Sequence, residues 1–180
     1  MMNFVLVESD SATNSLSRVQ LINDIVAVQE VENIKTELVE EVDNYISRTS
    51  PRSKVNGCVI VDACLKYNVD IKFVLAQGHI ESHFGSAGKA ARTNSIFNLD
   101  KTKYKHPNHS IEPYFELLTS KYLVRGKTEK DLMKNYVNKG GKRYATSKTY
   151  ERDLTAAYTK IKNRTKIDKL YNLYITRYNG

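Results

Sequence analysis

Cysteine is scarce in this 180-residue chain, and long apolar runs are absent. The only cysteines, Cys58 and Cys64, are six positions apart, so on a helix their side chains point to different faces and we expect no disulfide between them. No run approaches the roughly 18 apolar residues of a transmembrane helix, so we expect no membrane span. The first residues, MMNFVLVESDS, lack the basic and long apolar segments of a signal peptide, so we expect the protein to be made in the cytoplasm.

Acidic residues are few outside the first 50 positions. Residues 1–50 carry three basic and nine acidic residues, whereas residues 51–180 carry 25 basic and 11 acidic ones, and the whole chain has a formal net charge of +8. Such asymmetry indicates two parts with different partners. The basic part would be attracted to a polyanion: a nucleic acid, an anionic cell wall or an acidic protein surface.

Apolar residues recur at helical spacing through most of the chain. Between residues 16 and 46 they predict one long amphipathic helix, or two shorter ones, whose apolar stripe packs on the rest of the chain or on a partner helix. The stripe consists of Ile22, Ile25, Val28, Val31, Ile34, Leu38, Val42 and Tyr45. Further helices are predicted after an N-cap at Ser53, from Ile71 to about His83 with Asp70 as the N-cap, from about Ile111, after Thr128 and over about 148–163.

These patterns predict a mainly α protein in three parts. Residues 1–50 form an acidic helical extension, residues 51–165 a compact domain, and residues 166–180 an aromatic tail. Pro51, in SRTSPRSK, ends the first helix. The tail is expected to dock on the core through Tyr171, Tyr174 and Tyr178, which recur at helical spacing. NSIFNL, at 94–99, is expected to be a short strand or a turn that lines a groove.

A carboxylate stands at the end of the helix in VLAQGHIESHFG, residues 74–85. Glu81 directly follows the apolar Ile80, at a point where the chain enters a polar loop. Partial burial would disfavour the charged form of Glu81 and raise its pKa, which suits a general acid that protonates a leaving oxygen. The alternative is a solvated glutamate at the edge of the helix.

Three stretches in the same order resemble the motifs of one enzyme family. VLAQGHIESHFG (74–85), TNSIFNLD (93–100) and RYATSKTY (143–150) are similar to the LLAQxxLESxxG, NNxFxx and YATDxxY motifs of glycoside hydrolase family 73, the peptidoglycan N-acetylglucosaminidases of the lysozyme-like superfamily. SIEPYFELLTSKYL (110–123) is similar to a further helix of that family. The resemblance covers about residues 55–163. It implies a lysozyme-like domain, with a groove-lining loop or small β element, that cleaves the β-1,4 bond after N-acetylglucosamine in peptidoglycan.

The resemblance also implies roles for individual residues. Glu81 would be the general acid and Tyr144 the active-site tyrosine of the family. The groove would be shaped by Gln77, Asn94, Phe97 and Asn98. Amide side chains both donate and accept hydrogen bonds, which suits sugar hydroxyl and N-acetyl groups. The family often has Gly where Asn98 stands.

The second catalytic group is less clear from the sequence. Hydrolysis of this kind usually needs two carboxylates. Between Glu81 and Glu112 the only acidic residue is Asp100, which is therefore our candidate, although it could equally be a turn residue in LDKTK. Without a second carboxylate, the N-acetyl group of the substrate could serve as the nucleophile, with Tyr144 orienting it.

A zinc site and a nucleic-acid-binding surface are two further interpretations of the sequence. His79 and His83 have a spacing that zinc sites use, and His106 and His109 could complete such a site, but HIESH is not the HExxH motif and we expect neither a metal nor another cofactor. Tyr, Lys and Arg interleave over 142–178, as in surfaces that bind single-stranded nucleic acid. No nucleic-acid-binding motif accompanies them, so we do not expect that function.

The resemblance therefore predicts a peptidoglycan hydrolase. The lack of a signal peptide favours a bacteriophage product, either an endolysin or a virion-associated lysin, that acts on the cell wall after release or from the virion. Its N-terminal helix is a candidate docking element for a protein partner. The alternative is a non-enzymatic virion or assembly protein that uses a lysozyme-like fold to bind glycan.

Overall fold

The computed structural model describes residues 9–99, 102–134, 144, 145 and 147–178. Within these ranges the chain is helical and contains no strand, so the prediction of a mainly α fold is confirmed. The helices are α1 (Ser9–Thr49), α2 (Gly57–Tyr67), α3 (Ile71–Ser82), α4 (Ala90–Thr93), α5 (Ile111–Leu117), α6 (Glu129–Leu132), α7 (Tyr150–Arg164) and α8 (Ile167–Tyr178). A 3₁₀ turn, Pro107–Ser110, precedes α5, and a π turn, Leu118–Tyr122, follows it. None of the described helices combines the length and apolar character of a transmembrane span.

Helix α3 lies at the centre of the core. Its N-terminus is capped as predicted, because the Asp70 side chain accepts a hydrogen bond from the backbone N–H of Lys72 at 2.9 Å. Every residue from Ile71 to Gly78 is buried, and α3 packs on α7, α2 and α8. The helix ends where His83 and Phe84 adopt positive φ angles of 46° and 51°. This end brings Glu81, on the last turn, to the edge of the core.

Helix α1 is one long helix, but only its C-terminal half packs on the rest of the chain. There Ile34, Leu38, Val42, Tyr45 and Ile46 are buried against α2 and α8. In the N-terminal half, six apolar residues are 56–64% exposed: Val19, Leu21, Ile22, Ile25, Val26 and Val28. The predicted stripe therefore packs as expected only from Ile34 onward.

The exposed half of α1 has a geometric cause. Each residue turns an α-helix by about 100°, so a step of three residues falls about 60° short of a full turn. Four such steps separate Ile22 from Ile34 and carry the side chain about 240° around the helix. A run of apolar residues three apart therefore winds around the helix instead of following one face.

The C-terminal tail forms α8, which packs on α1, α3 and α7. Tyr171 and Tyr174 are buried, and the Tyr171 hydroxyl donates to the carbonyl oxygens of Cys64 at 3.3 Å and Val69 at 3.0 Å. Tyr178, by contrast, is 69% exposed. The predicted docking of the tail is confirmed for the first two tyrosines and is wrong for the third.

Candidate active site

A cavity of about 650 Å³ opens beside the C-terminal half of α3. Its walls come from α3, the turn at 95–99, α5 with its π turn, and the start of α7. The polar and aromatic side chains that line it include Gln77, Glu81, Phe97, Asn98, Tyr114, Tyr122, Tyr144 and Tyr150. Glu81 is the only carboxylate among the described residues that line this cavity. NSIFNL forms the turn in one wall, so the turn alternative of its prediction is the correct one.

Asn98 holds Glu81 in place. The Asn98 side-chain nitrogen donates to the Glu81 backbone carbonyl at 2.7 Å and to carboxylate oxygen Oε2 at 3.1 Å. Asn98 has a φ of 51°, in the left-handed region that Gly adopts without strain and Asn tolerates better than most residues. The residue thus keeps a backbone shape that a glycine would allow and adds an amide that orients the carboxylate.

Gln77 lies one turn before Glu81 and joins three tyrosines. Its side-chain nitrogen donates to the hydroxyl oxygens of Tyr144 at 2.6 Å and Tyr150 at 2.8 Å, while the Tyr114 hydroxyl donates to its side-chain oxygen. Gln77 is only 1% exposed, so a buried amide in this apolar helix needs such partners. The network ties α3 to α5, to α7 and to the segment that carries Tyr144.

The three phenols remain protonated. Burial raises the pKa of Tyr114, Tyr144 and Tyr150 far above the usual value for tyrosine, and the Glu81 charge adds to the increase in each case. A hydrogen bond with Glu81 raises the pKa of Tyr150 further. These tyrosines therefore act near neutral pH as hydrogen-bond donors and acceptors, and not as anionic nucleophiles.

Aromatic and aliphatic side chains complete the cavity. Phe97 is 7% exposed and stacks on Tyr114 with 3.6 Å between ring centroids, so it packs beneath the cavity surface. Tyr122 meets Tyr144 edge to face at 4.9 Å. Leu99, Leu117 and Leu118 contribute further apolar wall. The cavity wall thus combines apolar side chains with oriented polar groups, a combination that suits a small-ligand site.

Two predicted site residues are placed elsewhere or not described. Asn94 does not line the cavity: it ends α4 with a φ of 55°, and its side chain donates to the Tyr104 carbonyl at 2.8 Å, which orders the loop that follows. Asp100 lies outside the described residues. Gln77, Glu81, Phe97, Asn98 and Tyr144 do come together, although their catalytic and binding roles stay predictions.

The histidines do not converge on a metal site. His79 and His83 stack with 5.0 Å between ring centroids, and His106 and His109 lie 6.1 Å apart. Burial, with smaller contributions from His83 and Lys160, lowers the pKa of His79. Among the residues that the structure describes, no group of three or more His, Cys, Asp or Glu side chains could hold a metal ion.

Sequence reasoning did not single out Tyr114 and Tyr150. Both lie inside quoted stretches, Tyr150 as the last residue of RYATSKTY and Tyr114 within SIEPYFELL. Their role depends on the packing of α5 and α7 against α3, which no local pattern specifies. The sequence feature that indicates such partners is Gln77, because a glutamine on a buried helical face needs buried hydrogen-bonding groups beside it.

Comparison with known families agrees with this geometry. Residues 59–163 match the Glucosaminidase family model, described as mannosyl-glycoprotein endo-beta-N-acetylglucosaminidase. Neither curated proteins nor solved structures gave a significant match. The matched segment spans more than half of the chain and includes the cavity residues described above, so the predicted family is confirmed. The chain belongs to the glucosaminidase family, and it is a glycoside hydrolase of the endo-β-N-acetylglucosaminidase type.

Proposed function

We propose that this glycoside hydrolase cleaves the β-1,4 bond after N-acetylglucosamine in bacterial peptidoglycan, with Glu81 as the proton donor. Family membership supports peptidoglycan hydrolysis. The observation that carries the proposal is Glu81 itself, the single carboxylate among the described cavity residues, held by Asn98. A proton donor must reach the leaving oxygen in a fixed direction, and a carboxyl group oriented by a neighbouring amide meets that need.

The residues that line the cavity have different roles in the proposed reaction. Glu81 protonates the oxygen that leaves the anomeric carbon, while positive charge develops on the sugar ring. Gln77 fixes the hydroxyl oxygens of Tyr144 and Tyr150, so each neutral phenol presents its own proton in a defined direction. In our proposal Tyr144 orients the N-acetyl group of the substrate. Phe97 stacks on Tyr114 and so helps to hold the tyrosine that binds Gln77.

Two routes remain for the group opposite Glu81. Asp100 would act as a base or nucleophile, or the N-acetyl oxygen of the substrate would attack the anomeric carbon. The tyrosines are poor candidates, since burial raises the pKa of Tyr144 and Tyr150 and keeps both phenols neutral. The Asp100→Asn variant separates the routes. If turnover falls as far as in Glu81→Gln, Asp100 is the second group; near-normal turnover with retained anomeric configuration indicates the N-acetyl group.

The direct experiment is digestion of purified peptidoglycan, with mass spectrometry of the reduced products. The wild type should release fragments with N-acetylglucosamine at the reducing end. Glu81→Gln, which keeps the shape but cannot donate an acidic proton, should lower the rate roughly 100- to 10,000-fold. Glu116→Gln, an exposed change on α5 outside the cavity, is the matched control and should leave the rate unchanged.

Other products would change the conclusion. Fragments that end in N-acetylmuramic acid would keep the enzyme class but move the cleaved bond. If the folded wild type releases no fragments but retains glycan, the non-enzymatic alternative is correct: a virion or assembly protein that binds glycan through a lysozyme-like fold.

The biological setting stays a prediction. We propose a bacteriophage endolysin or virion-associated lysin, made in the cytoplasm, that reaches the wall on release or as part of the particle. A glycan-cleaving activity suits both settings. Mass spectrometry of purified particles and of the lysate distinguishes them, because a virion component copurifies with particles and an endolysin does not.

A further inference from the structure

The N-terminal half of α1 carries an apolar surface that the described residues leave exposed. We define the N-terminal α1 surface as Val19, Leu21, Ile22, Ile25, Val26 and Val28, each 56–64% exposed. At about 100° per residue these side chains occupy one half of the helix, centred near Ile25. Gln20, Asn23 and Asp24 lie on the other half. This half-apolar pattern is that of a helix packed against a partner.

The surface points away from the core of its own molecule. Leu38, which is fully buried, lies about 140° around the helix from Ile25. The packing that buries the C-terminal half of α1 therefore cannot also cover Ile25. Beside the surface, Val28, Val31 and Tyr178 line a groove of about 610 Å³ where α8 ends. The groove extends the apolar area available to a partner.

The charges around the surface favour one arrangement of that partner. Arg18, Ile25 and Glu32 follow one another at seven-residue intervals. Seven residues make almost two full turns, so each side chain is rotated by only about 20° from the previous one and the three lie along one side of the helix. Both charged side chains are exposed. If two copies of α1 cross antiparallel with Ile25 opposite Ile25, Arg18 of each copy faces Glu32 of the other. A parallel pair would instead place like charges opposite each other.

The available area and the composition point to protein and not to lipid. Six aliphatic side chains of this size present on the order of 100 Å² each, so a pair of helices would bury at most about 1,200 Å², the low end of specific interfaces. Helices that lie on anionic membranes carry Lys and Arg on their polar half. Here the polar half holds Gln20, Asn23, Asp24 and Glu30, with no basic residue.

We propose that two copies of this protein associate through the N-terminal α1 surface as an antiparallel helix pair, with a twofold axis at Ile25 and mutual Arg18–Glu32 contacts. The interface is the same patch on both molecules, as twofold symmetry requires. It does not depend on the substrate, and the proposal stands independently of the bond that the enzyme cleaves.

Sedimentation equilibrium of the full chain at micromolar concentration tests the association. The wild type should have about twice the monomer mass of 20.6 kDa. Ile25→Asp places a charge at the twofold axis and should give a monomer, whereas Asn23→Asp, with the same charge on the polar half, should remain a dimer. Both positions are exposed, so far-ultraviolet circular dichroism should show an unchanged fold. A monomeric wild type, a dimeric Ile25→Asp variant or a monomeric Asn23→Asp variant would overturn the proposal.

Charge reversal tests the orientation. Arg18→Glu and Glu32→Arg should each weaken dimerisation about tenfold, since two ion pairs per dimer become repulsive, and the double variant should restore it. Single reversals without effect would overturn the antiparallel arrangement. A monomeric protein that binds vesicles of anionic lipid would assign the surface to a membrane and also overturn the proposal.

Discussion

At the level of single side chains, the amide of Gln77 organises the active site. A primary amide offers two hydrogens and one carbonyl oxygen, and all three meet tyrosine hydroxyl groups here. The amide oxygen accepts a hydrogen bond from the Tyr114 hydroxyl, so the amide nitrogen must face Tyr144 and Tyr150. The direction of each hydroxyl bond is therefore set by one buried residue one turn away from Glu81.

Replacing Gln77 by Met tests this arrangement. Methionine has a similar shape but leaves the buried phenols without their amide partner. We expect the free energy of unfolding to fall by about 1–3 kcal/mol and kcat to fall roughly tenfold to a hundredfold because the phenols lose their orientation. Urea unfolding and steady-state hydrolysis of soluble glycan fragments measure the two effects.

Tyr114→Phe is the matched control. It removes one hydrogen bond to Gln77 and keeps the ring that stacks on Phe97. Its effect on kcat should be clearly smaller than that of Gln77→Met, because Tyr144 and Tyr150 still bind the amide nitrogen. Equal losses of activity in the two variants would show that Gln77 acts only through general stability.

The residues of this site that could be predicted from the sequence are those that lie in short motifs. Glu81, Gln77 and Asn98 lie in short motifs whose order matched a family. Asn98 contacts Glu81, and Gln77 lies one helical turn before it. Asn94 lies in the same motif as Asn98, yet its side chain binds the Tyr104 carbonyl, because a turn over residues 95–98 separates the two positions. Motif membership alone could not separate a groove residue from a loop residue four positions away.

At the level of helices, α1 shows how a spacing pattern can mislead. Apolar residues three or four apart predict a helix, and the helix is present. A sustained seven-residue repeat keeps one face toward a partner, but a run of three-residue steps rotates that face. The spacing therefore predicts the helix correctly, while the face of α1 that packs on the core begins only at Ile34.

Alanine substitutions at the two ends of the stripe test this account. Leu38→Ala creates a cavity between α1 and its neighbours and should lower the free energy of unfolding by about 2–5 kcal/mol. Ile22→Ala changes an exposed position and should stay within about 0.5 kcal/mol in dilute monomeric protein. Chemical unfolding followed by circular dichroism measures both. A large loss in Ile22→Ala under these conditions would contradict the exposed placement of that residue.

For the molecule as a unit, part of the uneven charge is balanced by ion pairs within the chain. The acidic α1 lies along α8: Lys166, just before α8, pairs with Glu37 at 3.5 Å, and Arg177 in α8 pairs with Glu30 at 3.4 Å. Exposed pairs of this kind contribute little to stability. Part of the asymmetry that predicted two different external partners thus reflects contacts between two parts of the same protein.

The division at residue 50 stays a prediction, and truncation tests it. A chain that begins at residue 27 keeps Ile34, Leu38, Val42, Tyr45 and Ile46, whereas a chain that begins at residue 51 loses all five from the core. At about 1.5–3 kcal/mol for each buried side chain, the longer deletion removes roughly 7–15 kcal/mol. That equals the whole stability of a typical domain, about 5–15 kcal/mol.

We therefore expect residues 27–180 to fold and to cleave glycan at the rate of the full chain. Residues 51–180 should fail to unfold cooperatively on heating, because the surfaces of α2 and α8 that face α1 are exposed to water. Differential scanning calorimetry and the peptidoglycan assay measure the two results on the same samples. A cooperative transition near the full-length temperature for residues 51–180 would make α1 an appendage of an independent domain. Loss of folding would make its C-terminal half part of the enzyme core.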